Sequence, residues 1–511
     1  MKHAPIVLFT YNRSTHTKKT LDALANNPEA KDSELYIYCD GPKHQASKEE
    51  LDEINKVVKL SNLENRFKKV TVTVQKQNKG LANSIVDGVT EILELFDSVI
   101  VLEDDIVTSV GFLEFMNKAL SLYENEEQVM HVSGYMYPTK ALLPETFFYN
   151  VPLCWGWATW KSAWTNFRKD ALGLWTALNK KSSLLAFDKL GGDYLSRQLA
   201  YNVTGKLDTW FIKWHASVFL KNGFTLYPNK SLVENIGFDN SGVHNGKHSE
   251  FRVGKLATKI NVNLIDLEEN IQAERVVKQF YDSLQKKSLK KGIKHLIRER
   301  LRQAIFLILP DLKNVLKYNH QVYINKSFFG VNTKVYPSAR LSNTIIGDYT
   351  YISENAVINN AVIGRFCSIG AYFMAGRGLH PLHGISTHPM FYSTGNQNGI
   401  SLTKQNKTEE FKQITIGNDV FIGMHVTILD GVTIGDGAVI GAGAVVSKDI
   451  PAYAIAVGNP IKILKYRFES EVINRLLEIK WWHFNEKDLS LIEKHFFEVE
   501  SFLNQIHNNY N

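Results

Sequence analysis

An aliphatic residue occupies every sixth position between residues 416 and 446, and this period constrains the fold more than any other feature of the sequence. The positions are Ile416, Ile422, Ile428, Ile434, Ile440 and Val446. Glycine follows four of them. An α-helix or a flat sheet cannot use a period of six. We therefore expect short strands joined by tight corners, with the aliphatic side chain inward, the glycine permitting the turn, and three units forming one coil of a left-handed parallel β-helix.

A second run of the same pattern precedes this one, from Ile346 to Gly370, with a slip of one residue inside it. The period is lost between the two runs, from about residue 376 to residue 413. This insert contains His380, His383 and His388. A solenoid interrupted by one histidine-containing insert is the strongest indication of function in the chain.

The insert and the end of the solenoid resemble those of hexapeptide-repeat acyltransferases of the xenobiotic acetyltransferase type. The matching motifs, within residues 330–490, are Gly378–Pro381, Ser386–Tyr392, Ile455–Lys462 and Lys480–Trp482. The resemblance implies that His380 is the general base that deprotonates an acceptor hydroxyl as it attacks acetyl-CoA, a task suited to a neutral imidazole. His383 is interpreted as structural, and His388 has either a direct role or a packing role beside Phe391.

The same resemblance implies a homotrimer held together by the β-helix, with active sites between subunits and the cosubstrate lying along the coils. The residues expected to bind acetyl-CoA are Gly423, Gly441, Ala442, Lys448 and Lys462. The expected product is an O-acetylated sugar, and N-acetylation of an amino sugar is the open alternative.

The first 250 residues alternate strand-like and helix-like segments, which predicts an α/β layer with a parallel sheet. Strands are expected at 6–9, 35–39, 70–74 and 98–102, and helices at 14–24 and 82–95. Ligands of open α/β sheets lie at the carboxyl ends of the strands. The polar segments that fall there are Thr10–Arg13, Asp40–Gly41 and Glu103–Asp105.

The acidic triplet Glu103–Asp105 follows an apolar strand, where three carboxylates repel one another unless a cation neutralises them. A divalent ion that bridges a carboxylate and a pyrophosphate would do so, because oxygen ligands suit Mg²⁺ and Mn²⁺. The alternative is a helix cap or a solvated turn.

Six short motifs in residues 4–250 resemble, in the same order, the nucleotide-sugar glycosyltransferases of the GT-A fold, particularly inverting N-acetylglucosaminyltransferases. They are Phe9–Arg13, Asn78–Asn83, Glu103–Asp105, Trp155–Trp160, Asp208–Trp210 and Asn235–His244. The resemblance implies a Rossmann-like GT-A domain that uses a UDP-sugar and Mn²⁺ or Mg²⁺.

This resemblance also assigns roles to individual residues. Asp105 and His244 are expected to bind the metal, although His244 could instead bind a phosphate or the backbone. Asp208 is expected to be the general base for the acceptor hydroxyl, with another nearby acid as the alternative. The residues expected to bind the nucleotide-sugar are Thr10, Tyr11, Asn12, Arg13, Asp40, Lys79 and Asp104.

Residues 256–330 show neither the period of six nor the alternation of strand-like and helix-like segments. They are predicted to form a basic helical linker between a domain of residues 1–255 and a domain of residues 331–511. The second domain is expected to end in a helix at 470–484. Within the linker, Lys286–Arg302 carries eight Lys or Arg residues and one acid. The segment is either a solvated helix or an amphipathic helix on an anionic membrane.

Composition restricts the partners and the compartment. The net charge of +7 is mild for 511 residues, and the absence of Arg/Gly tracts and zinc-finger spacing argues against a nucleic-acid partner. Three widely spaced cysteines predict a reducing compartment. Without an apolar run of about 20 residues, the protein is expected to be cytoplasmic, with contact at the inner face of the plasma membrane as the alternative.

Together these features predict a bifunctional enzyme of bacterial surface-polysaccharide biosynthesis, in which a glycosyltransferase is fused to a sugar O-acetyltransferase. The expected acceptor is a glycan or a lipid-linked oligosaccharide, and fusion raises the effective concentration of a shared intermediate. One alternative is an acetyltransferase whose N-terminal half only binds glycan. Another is a non-catalytic trimeric scaffold.

Overall fold

The computed structural model describes residues 3–44, 46–139, 141–180, 183–190, 193–239, 249–284 and 322–510. The chain divides into two compact units, one of residues 1–199 and 208–297 and the other of residues 200–207 and 298–511. The three cysteines are free. No helix of the described ranges is long and apolar enough to cross a membrane.

The first unit contains a sheet covered by helices. Its strands are β1 (Ile6–Thr10), β2 (Glu34–Cys39), β3 (Lys69–Val74), β4 (Ser98–Glu103), β5 (Ile106–Thr108), β6 (Val129–Ser133), β7 (Thr146–Tyr149), β8 (Trp157–Trp160), β9 (Phe224–Pro228) and β10 (Val233–Asn235). Its labelled helices are α1 (Ser14–Ala25), α2 (Lys48–Leu63), α3 (Leu81–Leu95), α4 (Phe112–Leu122), α5 (Lys161–Trp164), α6 (Ala171–Lys180), α7 (Leu184–Phe187), α8 (Tyr194–Val203), whose last residues belong to the other unit, and α9 (Trp210–Leu220).

The large sheet has the strand order β3-β2-β1-β4-β8-β6-β9-β7. Its first four strands are parallel, and each begins and ends within one residue of its predicted position. The expectation of a parallel sheet is wrong for the other half, because β8 runs antiparallel to β4 and β6, and β7 runs antiparallel to β9. The buried, nearly continuous apolar strand β1 suits the centre of the parallel half.

The parallel half of the sheet brings three chain segments to one edge. Thr10 pairs with Cys39, and Phe9 pairs with Glu103, so β1, β2 and β4 end side by side. The short antiparallel pair β5 and β10 continues from this edge, and Ile236 N–H donates to the carbonyl of Asp105 at 2.9 Å. The chain after β10 therefore lies beside the acidic triplet.

The first unit extends beyond the predicted boundary at residue 255. Residues 271–284 form a helix, in which Ala273 and Val277 are fully buried. Asn270 N–H also donates to the carbonyl of Phe148 at 2.9 Å. The described part of the expected linker up to residue 284 thus belongs to the first unit. The basic segment Lys286–Arg302 lies outside the described residues.

The second unit is a parallel β-helix followed by helices. Its strands are β11 (Tyr323–Asn325), β12 (Phe328–Phe329), β13 (Lys334–Val335), β14 (Arg340–Ser342), β15 (Ile345–Ile346), β16 (Tyr351–Ile352), β17 (Val357–Asn359), β18 (Ala361–Ile363), β19 (Ser368–Ile369), β20 (Met374–Ala375), β21 (Ile414–Ile416), β22 (Phe421–Ile422), β23 (Thr427–Ile428), β24 (Thr433–Ile434), β25 (Val439–Ile440), β26 (Val445–Val446), β27 (Ala454–Val457) and β28 (Lys462–Tyr466). Its helices are α10 (Ser470–Ile479), α11 (Glu486–Lys494) and α12 (Val499–Tyr510).

Successive strands of the β-helix lie in three different sheets, as the period of six predicts. Ile416 pairs with Ile434 one coil later, and Ile422 pairs with Ile440. The six periodic aliphatic residues are at most 1% exposed, so the inward orientation is confirmed. The solenoid begins at Tyr323, before the predicted boundary at residue 331, because β11 already pairs with β14.

Glycines in this repeat have a different role from the predicted one. An added Cβ at Gly417 would lie 2.6 Å from the backbone nitrogen of Asp436, in the next coil, so these glycines permit close stacking of coils. The turn itself occurs further along, at left-handed residues such as Asp419 (φ +55°), His425 (φ +58°) and Gly443 (φ +71°). Their spacing repeats the period of six.

The end of the chain differs from the predicted helix at 470–484. Helix α10 ends at Ile479 because Lys480 adopts a left-handed conformation with φ of +47°. A 3₁₀ turn over Trp481–His483 follows, and then α11 and α12. Leu503 of α12 belongs to the same apolar cluster as Leu476 of α10. The C-terminal segment is therefore three packed helices.

Candidate functional site

The insert leaves the β-helix after β20 and returns at β21, so its predicted range of 376–413 is confirmed. One carboxylate holds both of its ends. Asp430 Oδ2 accepts the N–H of Gly378 at 2.9 Å, and Asp430 Oδ1 accepts the N–H of Lys412 at 3.3 Å. The N–H of Leu379 donates to the carbonyl of Glu410 at 2.7 Å, which joins the two ends directly.

His380 lies two residues beyond this anchor, and its side chain is exposed. Its Nδ1 lies 2.9 Å from the carbonyl oxygen of Thr387 and 2.8 Å from the hydroxyl of Tyr392. Because a carbonyl oxygen only accepts, a neutral imidazole in this position carries its hydrogen on Nδ1 and its lone pair on Nε2. That tautomer can accept a proton from a substrate.

The other two histidines of the insert are placed differently. His388 Nδ1 accepts the N–H of Met390 at 3.2 Å and so caps the 3₁₀ turn Pro389–Phe391. Its ring also contacts Phe391, with ring centroids 6.4 Å apart. These contacts favour the packing role for His388. His383 is exposed.

The residues expected to bind acetyl-CoA occupy the later coils. Gly423 lies directly against the next coil, because an added Cβ would be 2.5 Å from Ala442 N and 3.1 Å from Gly441 C. The structure thus brings these three residues together. Lys448 and Lys462 are both exposed, the first on a corner after β26 and the second in β28.

In the first unit, Arg13 connects the first loop to the acidic triplet. Its guanidinium forms ion pairs with Asp104 and, at 2.8 Å, with Asp105. Tyr11 N–H also donates to Asp104 Oδ2 at 3.4 Å. Burial raises the pKa of Asp104, and Arg13 opposes that shift. Arg13 therefore neutralises part of the negative charge of the triplet.

Asp40 is already occupied by the backbone. Its carboxylate accepts the N–H groups of Gly41 at 2.9 Å, Lys79 at 2.8 Å and Gly80 at 3.1 Å. The side chain of Lys79 lies 3.5 Å from Asp87. Asp40 therefore organises the loop at residues 78–80, a structural role different from the predicted binding of a nucleotide-sugar.

The remaining residues of the first loop contact other elements. Thr10 Oγ1 donates to the carbonyl of Tyr38 at 3.3 Å. Tyr11 Oη donates to Glu50 of α2 at 2.6 Å, and Asn12 Nδ2 lies 3.4 Å from the same carboxylate. The sequence patterns did not predict helix α2. Its N-terminus is capped by Ser47, whose side chain accepts the N–H of Glu50.

The expected metal site is incomplete within the described residues. Asp105 Oδ1 is buried without a hydrogen-bond partner, which fits a cation ligand. However, the described ranges contain no cluster of three or more His, Cys, Asp or Glu side chains able to hold a metal. The second expected ligand, His244, lies outside them.

Asp208 is exposed and precedes α9. Its Oδ1 pairs with Nζ of Lys213 at 2.6 Å, and 63% of the side chain is accessible. Within the described ranges, the ion pair of Asp208 is with this lysine. Its role as a general base therefore stays a prediction.

Comparison with known proteins identifies the second unit. The family "Bacterial transferase hexapeptide (six repeats)" matches residues 413–448. A chloramphenicol acetyltransferase from Agrobacterium fabrum is 36% identical over 189 residues, with 31% of this chain and 84% of the relative covered. The chain belongs to the hexapeptide-repeat acetyltransferases.

Two further relatives show how much of each protein is shared. A probable macrolide acetyltransferase from Lysinibacillus sphaericus is 38% identical over 134 residues, which cover 25% of this chain and 72% of that protein. A chloramphenicol acetyltransferase from Klebsiella aerogenes is also 38% identical, over 131 residues, but the chain covers only 61% of its length and the match covers 25% of this chain.

Two residues of the candidate site in the second unit were not singled out from the sequence. Tyr392 belongs to a motif that matched, and its hydroxyl contacts His380. Asp430 precedes a corner glycine in the regular repeat, and it anchors the insert from the next coil. An acid at a corner next to an insert is the signal that could have identified Asp430.

Proposed function

We propose that the second unit transfers an acetyl group from acetyl-CoA to a hydroxyl of a glycan, with His380 as the general base. The observation that carries this proposal is the contact between His380 Nδ1 and the carbonyl of Thr387, since in a neutral ring it places the lone pair on Nε2. Membership of an acetyltransferase family supports the reaction. The acceptor and the residue roles are our inference.

In the proposed reaction, Nε2 of His380 removes the proton from the acceptor hydroxyl while its oxygen bonds to the thioester carbonyl carbon. The resulting oxyanion collapses, the carbon–sulfur bond breaks, and the coenzyme A thiolate leaves with the proton that His380 releases. The products are an acetyl ester and free coenzyme A. An amine acceptor would react in the same way and give an amide.

For the first unit we propose the nucleotide-sugar glycosyltransferase activity that its motifs suggest. Supporting it, Arg13, Asp104 and Asp105 meet beside Asp40 at the carboxyl edge of parallel strands, where such sheets bind ligands. A bound Mn²⁺ or Mg²⁺, held by Asp105 and His244, would supply positive charge for the departing diphosphate. Asp208 is the proposed base for the acceptor hydroxyl.

These two activities together suggest a role in bacterial surface-polysaccharide biosynthesis, with a glycan or lipid-linked oligosaccharide as the shared acceptor. We further propose a cytoplasmic homotrimer formed through the β-helix. We also propose that the basic segment Lys286–Arg302 contacts an anionic membrane. A first unit that only binds glycan is the alternative.

The test uses two variants and two assays on each. Coenzyme A release is measured with a panel of nitrophenyl glycosides, and UDP release is measured with a panel of UDP-sugars. His380→Ala should lower acetyl transfer by roughly 10²–10⁴-fold and leave UDP release intact. Asp105→Ala should abolish UDP release and leave acetyl transfer intact. Full acetyl transfer by His380→Ala would refute the assignment of the base.

A further inference from the structure

The hydroxyl of Tyr392 contacts Nδ1 of His380, the ring nitrogen opposite the proposed base Nε2. The distance between Tyr392 Oη and His380 Nδ1 is 2.8 Å, and the carbonyl oxygen of Thr387 lies 2.9 Å from the same nitrogen. Because the carbonyl requires a hydrogen on Nδ1, the Tyr392 oxygen can only be a second acceptor of that hydrogen. The imidazole therefore has two oxygen acceptors on one side.

Tyr392 is buried, and its backbone is hydrogen-bonded on both sides. It is 6% exposed, in an insert where most neighbours are in contact with solvent. Its N–H donates to the carbonyl of Pro389 at 3.1 Å, and its carbonyl accepts the N–H of Lys407 at 2.8 Å. Its ring is nearly perpendicular to that of His380, at 86°. The hydroxyl therefore has a fixed direction.

From this geometry we infer that Tyr392 is a positioning residue for acetyl transfer, which fixes the orientation of the His380 ring and stabilises the imidazolium as it forms. This inference rests on the proposed role of His380. When Nε2 takes the acceptor proton, the ring becomes cationic and its Nδ1–H bonds become charge-assisted, so they strengthen as the reaction proceeds. Such a contact acts on the rate more than on binding.

The test compares Tyr392→Phe, which removes one oxygen, with Tyr336→Phe, the same change at an exposed tyrosine of an early coil, as the control. Tyr392→Phe should lower kcat about tenfold to a hundredfold, the effect of losing one hydrogen bond to a charged group. The KM for acetyl-CoA should stay unchanged. Tyr336→Phe should behave as the wild type does. Equal kcat for Tyr392→Phe and wild type, or an effect confined to KM, would overturn the inference.

A double-mutant cycle shows whether Tyr392 acts through His380. If it does, His380→Ala combined with Tyr392→Phe loses no more activity than His380→Ala alone. Additive losses would show an independent structural effect and overturn the inference. Full activity of His380→Ala would instead refute the proposed base, so the two failures are distinguishable.

If the Phe variant fails to fold, the tautomer can be measured in the wild type. Nitrogen-15 NMR of histidine-labelled protein, with His380→Ala for assignment, should show a protonated Nδ1 and a bare Nε2 for His380. A neutral ring with its hydrogen on Nε2 and a bare Nδ1 would contradict the inferred geometry.

Discussion

Replacing Asp430 by asparagine tests whether the insert must be anchored for acetyl transfer. The carboxylate accepts one N–H at each end of the insert, at 2.9 Å from Gly378 and 3.3 Å from Lys412. Asparagine keeps one acceptor oxygen and turns its own N–H group toward the other donor, so one bond is lost. A hydrogen bond to a charged group contributes about 1.5–3 kcal/mol, and partial exposure favours the lower value.

A loss of about 1.5 kcal/mol corresponds to roughly a tenfold change in equilibrium. We therefore expect amides at both ends of the insert to exchange hydrogen about tenfold faster in Asp430→Asn. The kcat should fall by up to the same factor, because His380 lies two residues from Gly378. Hydrogen exchange by mass spectrometry and coenzyme A release measure the two effects.

The matched control is Asp449→Asn, since Asp449 accepts the N–H of Thr433 at 2.8 Å outside the insert. It should leave both exchange in the insert and kcat unchanged. Unchanged exchange at Gly378 and Lys412 in Asp430→Asn, or an equal loss of kcat in the control, would refute the reasoning.

Two other predictions concern the β-helix and the assembly. Gly417→Ala should destabilise the unit by about 1–3 kcal/mol through overpacking between coils. Gly443→Ala should destabilise it less, by about 1 kcal/mol from its positive φ, because the added Cβ would meet nothing within 4 Å. A lower thermal midpoint for Gly443→Ala than for Gly417→Ala would contradict this. The full-length protein should be a trimer by light scattering, since β-helices packed side by side would bury their faces; a monomer would contradict the proposed assembly.

Much of the fold could be predicted because its pattern is local and repeated. Burial of every sixth residue, as at Ile416 and Ile434, requires only the period, and the structure confirms it. The parallel half of the first sheet follows from short strand-like segments that alternate with helical ones, with the buried apolar strand β1 among them. Helix α2 and the early end of α10 at Lys480 were missed, because a capping pair and a single left-handed residue are weak local signals.

For the candidate sites, too, some features follow from the sequence and others only from the tertiary structure. The sequence by itself determined that a histidine-bearing insert leaves a β-helix, and that three polar segments end at one sheet edge. Only the tertiary structure decided that Tyr392 meets His380, that Asp430 holds Gly378, and that Arg13 pairs with Asp104. The physical reason is that a period fixes which side chains point inward. Contacts between irregular segments depend instead on where the surrounding packing brings the backbone, and no local pattern encodes that.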